Sequence, residues 1–224
     1  MIPWVQLGVA SVPGDGGELR LMQRGREFSI FAGAIELMSN RLSGSEEALA
    51  SVTCARLAGR ARPKVLIGGL GMGFTLRTAL KDLRADAQVV LAELVPEVVA
   101  WARGPLAAIH GASLDDPRVT VVVGDVAEPI ASGRGSFDAI LLDVDNGPEG
   151  LMRRANDDLY DPYGLRQAHA ALKPGGMLAV WSATPHAAFA KRFAQAGFTV
   201  EELRPRASNR GRGARHVIWI GTRP

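Results

Sequence analysis

The chain has 224 residues, of which 47% are hydrophobic and 22% charged, with a net charge of +3. That balance suits one compact globular body with at most a small appendage, and no apolar run approaches the ~20 residues that cross a bilayer. Cys54 is the single cysteine, which excludes an intrachain disulfide and a cysteine-based metal cluster.

The N-terminal stretch MIPWVQLGVASVPG has no basic start followed by an apolar core. It does not read as a secretory leader, so the expected location is cytoplasmic. Residues 1–42 form the first unit, in which WVQLGVA, ELRLMQR and EFSIFAG are short β-like runs split by PGDGG and RG turn signals. They predict a small meander or hairpin, too short to stand alone, that packs on the main body or on a second subunit. The second unit, 43–224, opens with Ser43 and Glu46 in a Ser-x-x-Glu helix-start spacing, followed by ALASVTCARLA. Cys54 falls inside that helix and reads as a buried structural thiol.

From there strands and helices alternate. The predicted strands are 64–68, 88–93, 118–123, 138–143, 176–181, 198–203 and 215–221. The predicted helices lie near 73–83, 95–108, 126–132, 160–172 and 185–196. Such alternation argues for a parallel sheet with helices on both faces. The last two strands have no helix between them and should pair antiparallel. The fold class is therefore α/β, with seven strands, mostly parallel, ending in an antiparallel hairpin.

The first core strand runs into VLIGGLGMG, with glycines at 68, 69, 71 and 73, and a helix follows. Glycines permit a sharp turn and a close ligand approach, and the helix N-terminus offers free N–H groups. A plain turn would also use glycines. The acid Glu93, at the end of the next strand, adds the ligand meaning, because it suits a pair of ribose hydroxyls at a strand's carboxyl end.

The series GGLGMG, AEL, DPRVTVVVGD, FDAILLDVDNGP and LKPGGMLAV resembles the Rossmann-like, seven-strand fold of S-adenosylmethionine-dependent methyltransferases. Within that superfamily it is most similar to the spermidine synthase (polyamine aminopropyltransferase) branch, over about residues 26–181. The resemblance implies that Glu93 holds the donor ribose, that Asp125 and Val126 flank the adenine, and that Gly68, Gly69, Gly71 and Gly73 lie under the donor's tail. It implies that Asp143 deprotonates an acceptor amine. Asp145 and Asn146 are placed in the same cleft, Asp145 either as a second catalytic acid or as a cap. Tyr160 matches a structural tyrosine. A homodimer is likewise implied.

Several positions depart from the branch. The acid usual in its glycine loop is Gly71 here, and its Tyr-His-Glu reads Ser45, Glu46, Glu47. A glutamine of the branch appears as Glu36. Glu36 and Glu47 are the candidates for substrate binding, together with Asn146 and Trp181. Trp181 reads equally as pocket wall and as core. Without the loop acid, intact S-adenosylmethionine is no longer disfavoured, so the reading tips towards methyl transfer. Aminopropyl transfer from decarboxylated S-adenosylmethionine is the alternative, and a catalytically degenerate nucleoside-binding protein is a third. In the first two the acceptor is a small, cationic amine.

His110, His169, His186 and His216 show no ligand spacing, so no metal is expected. The Arg-rich loop 204–215, with Arg204, Arg206, Arg210, Arg212 and Arg215, suits RNA phosphates, a solvated connection or a flap over an acidic substrate. No aromatic residue interleaves with these arginines, so nucleic acid is not the expected partner, and neither is a membrane.

Overall fold

In a computed structural model the chain is described over residues 2–14, 17–144, 148, 158–208 and 213–224. Two sheets organise these residues. The N-terminal sheet is fully antiparallel in the order β1-β2-β3-β4, from β1 (Val5–Ser11), β2 (Glu18–Arg24), β3 (Glu27–Ala32) and β4 (Ile35–Ser39). The sequence reading anticipates the first three of these strands. β4 escapes it, because IELMS is short and its register shifts against β3 between Ile30 and Phe31.

The main sheet holds β5 (Lys64–Gly68), β6 (Gln88–Glu93), β7 (Val119–Val123), β8 (Phe137–Leu142), β9 (Leu172–Ser182), β10 (Thr199–Leu203) and β11 (Val217–Thr222). Its order is β10-β11-β9-β8-β5-β6-β7. β5, β6, β7, β8 and β9 pair in parallel, while β11 runs antiparallel to both β9 and β10. The expected architecture, a mostly parallel seven-strand sheet closed by an antiparallel hairpin, is the one observed. Strand order reverses at β5, between β6 and β8. A crevice therefore opens at the carboxyl ends of β5 and β8, where a doubly wound sheet binds ligands.

The helices are α1 (Gly44–Ala55), α2 (Phe74–Asp82), α3 (Pro96–Arg103), α4 (Ala107–His110), α5 (Ala127–Ser132), α6 (Pro162–Ala171) and α7 (Ala187–Gln195). The helix expected over 95–108 is broken into α3 and α4. Gly104, at φ −109° and ψ −111°, leaves the helical region just before Pro105, which disfavours helix in its predecessor. β9 begins four residues before the expected 176, because Phe137 already pairs with Leu172. The capping box expected at the start of α1 is not formed: Ser43 makes no side-chain cap, and its backbone oxygen accepts from Glu47 N. That leaves Glu46 free to turn inward. α6 is capped by Asp161, whose carboxylate accepts from Gly164 N at 2.7 Å, with Pro162 in the first turn.

Each face of the main sheet carries its own core. One is built on Leu66, Ile140, Leu142, Phe189, Phe193 and Trp219, and it includes Tyr160, packed edge-on against Phe189. The other joins the main sheet to the N-terminal sheet: Ala10, Leu19, Leu21 and Ile30 share it with Val65, Ile67, Leu49 and Trp101. The small sheet thus folds onto the main body of its own chain. Cys54 lies in this second core, and burial pushes its thiol up to about 12, so it is a packing residue.

Candidate functional site

The site begins at the turn after β5. Gly69 has φ +89°, and a Cβ there would meet the Asp143 carbonyl at 2.3 Å. Gly73 has φ +78° and opens α2, and a Cβ there would strike the buried His110 ring at 2.4 Å. Only glycine satisfies both the backbone angle and the closeness. Burial, reinforced by Arg77, lowers His110 to about 4, so a neutral imidazole supports the turn from below.

Glu93 ends β6 and is buried. Its Oε2 accepts from Leu70 N in the glycine turn at 2.8 Å, and its Oε1 accepts from Val95 N at 2.9 Å. Burial raises its proton affinity, opposed by those backbone N–H groups. The carboxylate is thus fixed at the crevice floor with lone pairs left over. Asp125, just after β7, accepts from Ala127 N at 2.9 Å, and Val126 is buried beside it.

These residues line a cleft of about 900 Å³, part of it open to solvent, together with Gly69, Gly71 and Asp143. Val12, Leu19, Ile30, Leu37 and Met38 of the N-terminal region form its apolar roof. An apolar slot with a few fixed polar groups is the usual form of a nucleoside-sized site.

A second pocket of about 470 Å³, part of it open to solvent, adjoins the first, and Asp143, Gly71, Leu37 and Met38 belong to both. Asp143 follows β8, and its N–H donates to Gly68 O at 2.9 Å, which ties it to the glycine turn. The Thr75 hydroxyl donates to Asp143 Oδ2 at 2.5 Å. Burial, then the nearby charge of Glu46, pushes Asp143 up to about 7, and the Thr75 bond opposes this. Glu46 is also raised, by burial first and by Glu47 as well, while a Ser45 hydrogen bond pulls it back. Ser45 Oγ donates to Glu46 Oε2 at 2.6 Å and lies 2.8 Å from His216 Nδ1. The His216 ring packs edge-on against Trp181, which is 8% exposed and walls the same cavity.

Gly69, Gly71, Glu93, Asp125, Val126 and Asp143 therefore meet in the first cleft, and Gly71, Gly73, Asp143 and Trp181 meet in the second. Gly68 lies beneath, packed against Val126. Asp145 and Asn146 lie outside the described residues, as do Arg210 and Arg212. Glu36 faces elsewhere: it pairs with Arg41 at 2.5 Å and lines neither cavity. Glu47 is half-buried on α1 and also lines neither, whereas its neighbour Glu46 does. Glu46 was legible as an acid at the helix start and as the middle position of the branch's Tyr-His-Glu, but was not chosen for the site. Ser45 was legible only as a departure from the branch's Tyr-His-Glu, and Thr75 and His216 carried no local signal. In the Arg-rich loop, Arg204 is paired with Glu202, and Arg206 bridges to Arg215 across the hairpin. Among the described residues no cluster of His, Cys, Asp and Glu has metal-binding geometry, and no helix is long and apolar enough to cross a membrane.

Comparison with known proteins bears on the family and the fold. The polyamine aminopropyltransferase of Mycobacterium tuberculosis is 32% identical over 129 residues, which cover 56% of this chain and 24% of that protein. That of Synechococcus sp. is 34% identical over 124 residues, covering 55% of this chain and 38% of that protein. The matched segment thus spans well under half the length of these curated relatives. Among solved structures, spermidine synthase from Thermotoga maritima superposes with a TM-score of 0.77 at 19% identity, covering 98% of this chain and 73% of that one. A probable spermidine synthase from Corynebacterium glutamicum gives 0.60 at 17% identity, covering 96% and 79%. At such identities these two superpositions speak for the fold. A family model described as the spermine/spermidine synthase domain matches residues 46–191, more than half of the chain. That span contains Glu46, Glu93, Asp125 and Asp143, the acids that line the two cavities, and on this match the chain belongs to the spermine/spermidine synthase domain family.

Proposed function

We propose that this protein transfers an aminopropyl group from a decarboxylated S-adenosylmethionine-type donor to a small cationic amine. The observation that carries the reading is Asp143, a buried carboxylate shared by both cavities and held near neutrality in its proton affinity. A general base works best when its pKa lies near the working pH.

In this reading Glu93 accepts the ribose hydroxyls, Asp125 and Val126 flank the adenine, and Gly69 and Gly71 lie under the sulfonium end. The donor supplies an electrophilic carbon with a good leaving group, so the protein has to align the partners and remove a proton. The Asp143 carboxylate first takes a proton from the acceptor ammonium, and the freed nitrogen lone pair attacks the methylene carbon beside the sulfonium. A C–N bond forms, and the C–S bond breaks with its electron pair passing to sulfur. The alkylated nitrogen leaves as its ammonium, and the proton taken up by Asp143 passes to solvent. The products are an alkylated amine and a methylthioadenosine-type thioether.

The tilt towards methyl transfer rested on Gly71 alone. The curated relatives cited above are named polyamine aminopropyltransferases, which supports the alternative. The deciding experiment supplies the purified protein with a diamine and either decarboxylated or intact S-adenosylmethionine, and follows the nucleoside product by chromatography. Methylthioadenosine formed from the decarboxylated donor is the expected result. S-adenosylhomocysteine formed from the intact donor would overturn aminopropyl transfer in favour of methyl transfer. No product from either donor would overturn the enzyme reading.

A further inference from the structure

Gly71, where the loop acid is missing, lies close under Met38. Gly71 sits at φ +46°, and a Cβ there would lie 3.0 Å from Met38 Sδ. A side chain at 71 would be strained at that φ and would need Met38, which roofs both cavities, to give by a few tenths of an ångström. The loop itself carries no acid, reading Gly69-Leu70-Gly71-Met72-Gly73.

A carboxylate reaches the same space from another element. Glu46, on the first turn of α1, lines the second cavity together with Leu70, Gly71, Met72 and Gly73, the surface from which a loop acid would project. Its position is set by two hydrogen bonds in series. The Ser45 hydroxyl has one proton and gives it to Glu46 Oε2. His216 Nδ1 must then be the donor to Ser45 Oγ, which fixes the His216 tautomer. Burial lowers His216, consistent with a neutral ring in that role. Trp181, packed edge-on against His216, holds the ring in place. Ser45 and His216 both lie outside the 46–191 segment that the family model matches, and His216 comes from the mouth of the terminal hairpin.

We propose that the His216–Ser45–Glu46 chain is the donor-selecting device of this protein, with Glu46 holding the ammonium of the donor's aminopropyl tail in place of a loop acid and His216 and Ser45 acting as positioning residues. The proposal rests on the aminopropyl reading above. Two carboxylates, Glu46 and Asp143, then face the tail. They attract an ammonium through charge-assisted hydrogen bonds and repel the carboxylate that an intact donor would carry.

The test is calorimetric binding of three ligands, methylthioadenosine, decarboxylated S-adenosylmethionine and intact S-adenosylmethionine, to the wild type and to E46Q, E46D, S45A and H216F. Methylthioadenosine has no ammonium, so it reports on folding and on the nucleoside cleft alone. E46Q should leave methylthioadenosine affinity unchanged and weaken the decarboxylated donor by about 10-fold or more, as expected for a lost charge-assisted bond. Its preference for the decarboxylated over the intact donor should shrink by a similar factor. E46D, which keeps the charge, should recover most of that preference. S45A and H216F should lower it by about 3-fold with methylthioadenosine binding intact. If E46Q keeps the wild-type preference while methylthioadenosine still binds, the device is wrong and the aminopropyl reading survives. If the wild type itself prefers the intact donor, both fall together.

Discussion

Thr75 and Asp143 are joined across the glycine turn by a short hydrogen bond, in which the threonine hydroxyl on the first turn of α2 donates to Asp143 Oδ2 at 2.5 Å. This bond favours the ionised carboxylate, against burial and the charge of Glu46. Thr75→Val keeps the shape and removes the donor. The Asp143 pKa should then rise above its present value of about 7. A base must be ionised to act, so the ascending limb of kcat/KM against pH should move to higher pH. The loss should be about 10-fold at pH 7 and should largely vanish by pH 9. A loss of equal size at both pH values would mean that Thr75 acts only through packing.

Asp143 should also limit the stability of the unliganded protein. Its pKa rises from 3.8 to about 7 on folding, so between those values the folded chain keeps a proton that the unfolded chain releases. Stability is therefore lost as pH rises through that window, and above it the folded state carries the whole cost of an ionised buried carboxylate. Asp143→Asn removes that cost. The variant should lose turnover, keep methylthioadenosine binding, and melt higher than the wild type at pH 8 by about 1–3 kcal/mol of stability. At pH 4 the gain should nearly disappear. Thermal unfolding of both proteins at the two pH values checks this, and a gain independent of pH would contradict the assigned titration.

Gly73 and His110 should behave as a coupled pair. A Cβ at Gly73 meets the His110 ring at 2.4 Å, in a backbone conformation at φ +78° that side chains rarely adopt. Gly73→Ala should cost about 2–4 kcal/mol, from the clash and the left-handed strain together. His110→Ala in the same chain relieves the clash and leaves the strain. Denaturant unfolding of the two single variants and the double variant should give a favourable coupling of about 1 kcal/mol or more. Additive effects would show that His110 does not brace the turn.

The main sheet was legible because its strands are apolar runs ended by glycine, proline or acid. In a doubly wound sheet those ends gather at one edge. That is why Glu93, Asp125 and Asp143, separated widely in sequence, meet around one cleft. The turn-rich N-terminus was less legible. A five-residue strand with a register shift, Ile35–Ser39, has too little alternation to be read, and it turns Leu37 and Met38 into the cleft while Glu36 pairs outward with Arg41. On α1 a helix-start spacing pointed Glu46 at the backbone, and the match of Glu47 to the glutamate of the branch's Tyr-His-Glu put Glu47 in the site. The cap is not made, and neighbours on a helix point about 100° apart, so Glu46 enters the cavity and Glu47 does not. The contact between Ser45 and His216 spans 171 residues, a separation over which no local pattern carries information.

The N-terminal sheet roofs the cleft, and its docking rests on a close approach at Gly8. A Cβ there would meet the Trp101 indole nitrogen at 2.6 Å, so β1 lies directly against α3. The strand is also bulged between Gln6 and Gly8. Val12, Leu19 and Ile30, which hang from this sheet, form one wall of the nucleoside cleft. Gly8→Val should push β1 away from Trp101 and lift that wall. Methylthioadenosine affinity should fall about 10-fold, and amide exchange in β1 and β2 should accelerate while β5 and β6 remain protected. The main sheet should still unfold cooperatively, because the core on its far face, around Phe189 and Trp219, does not involve the N-terminal strands. Wild-type affinity in Gly8→Val would mean that the roof contributes packing and no binding. Loss of protection throughout the main sheet would mean that the small sheet is integral to the whole fold, since the two share the core that joins Leu21 and Ile30 to Val65 and Ile67.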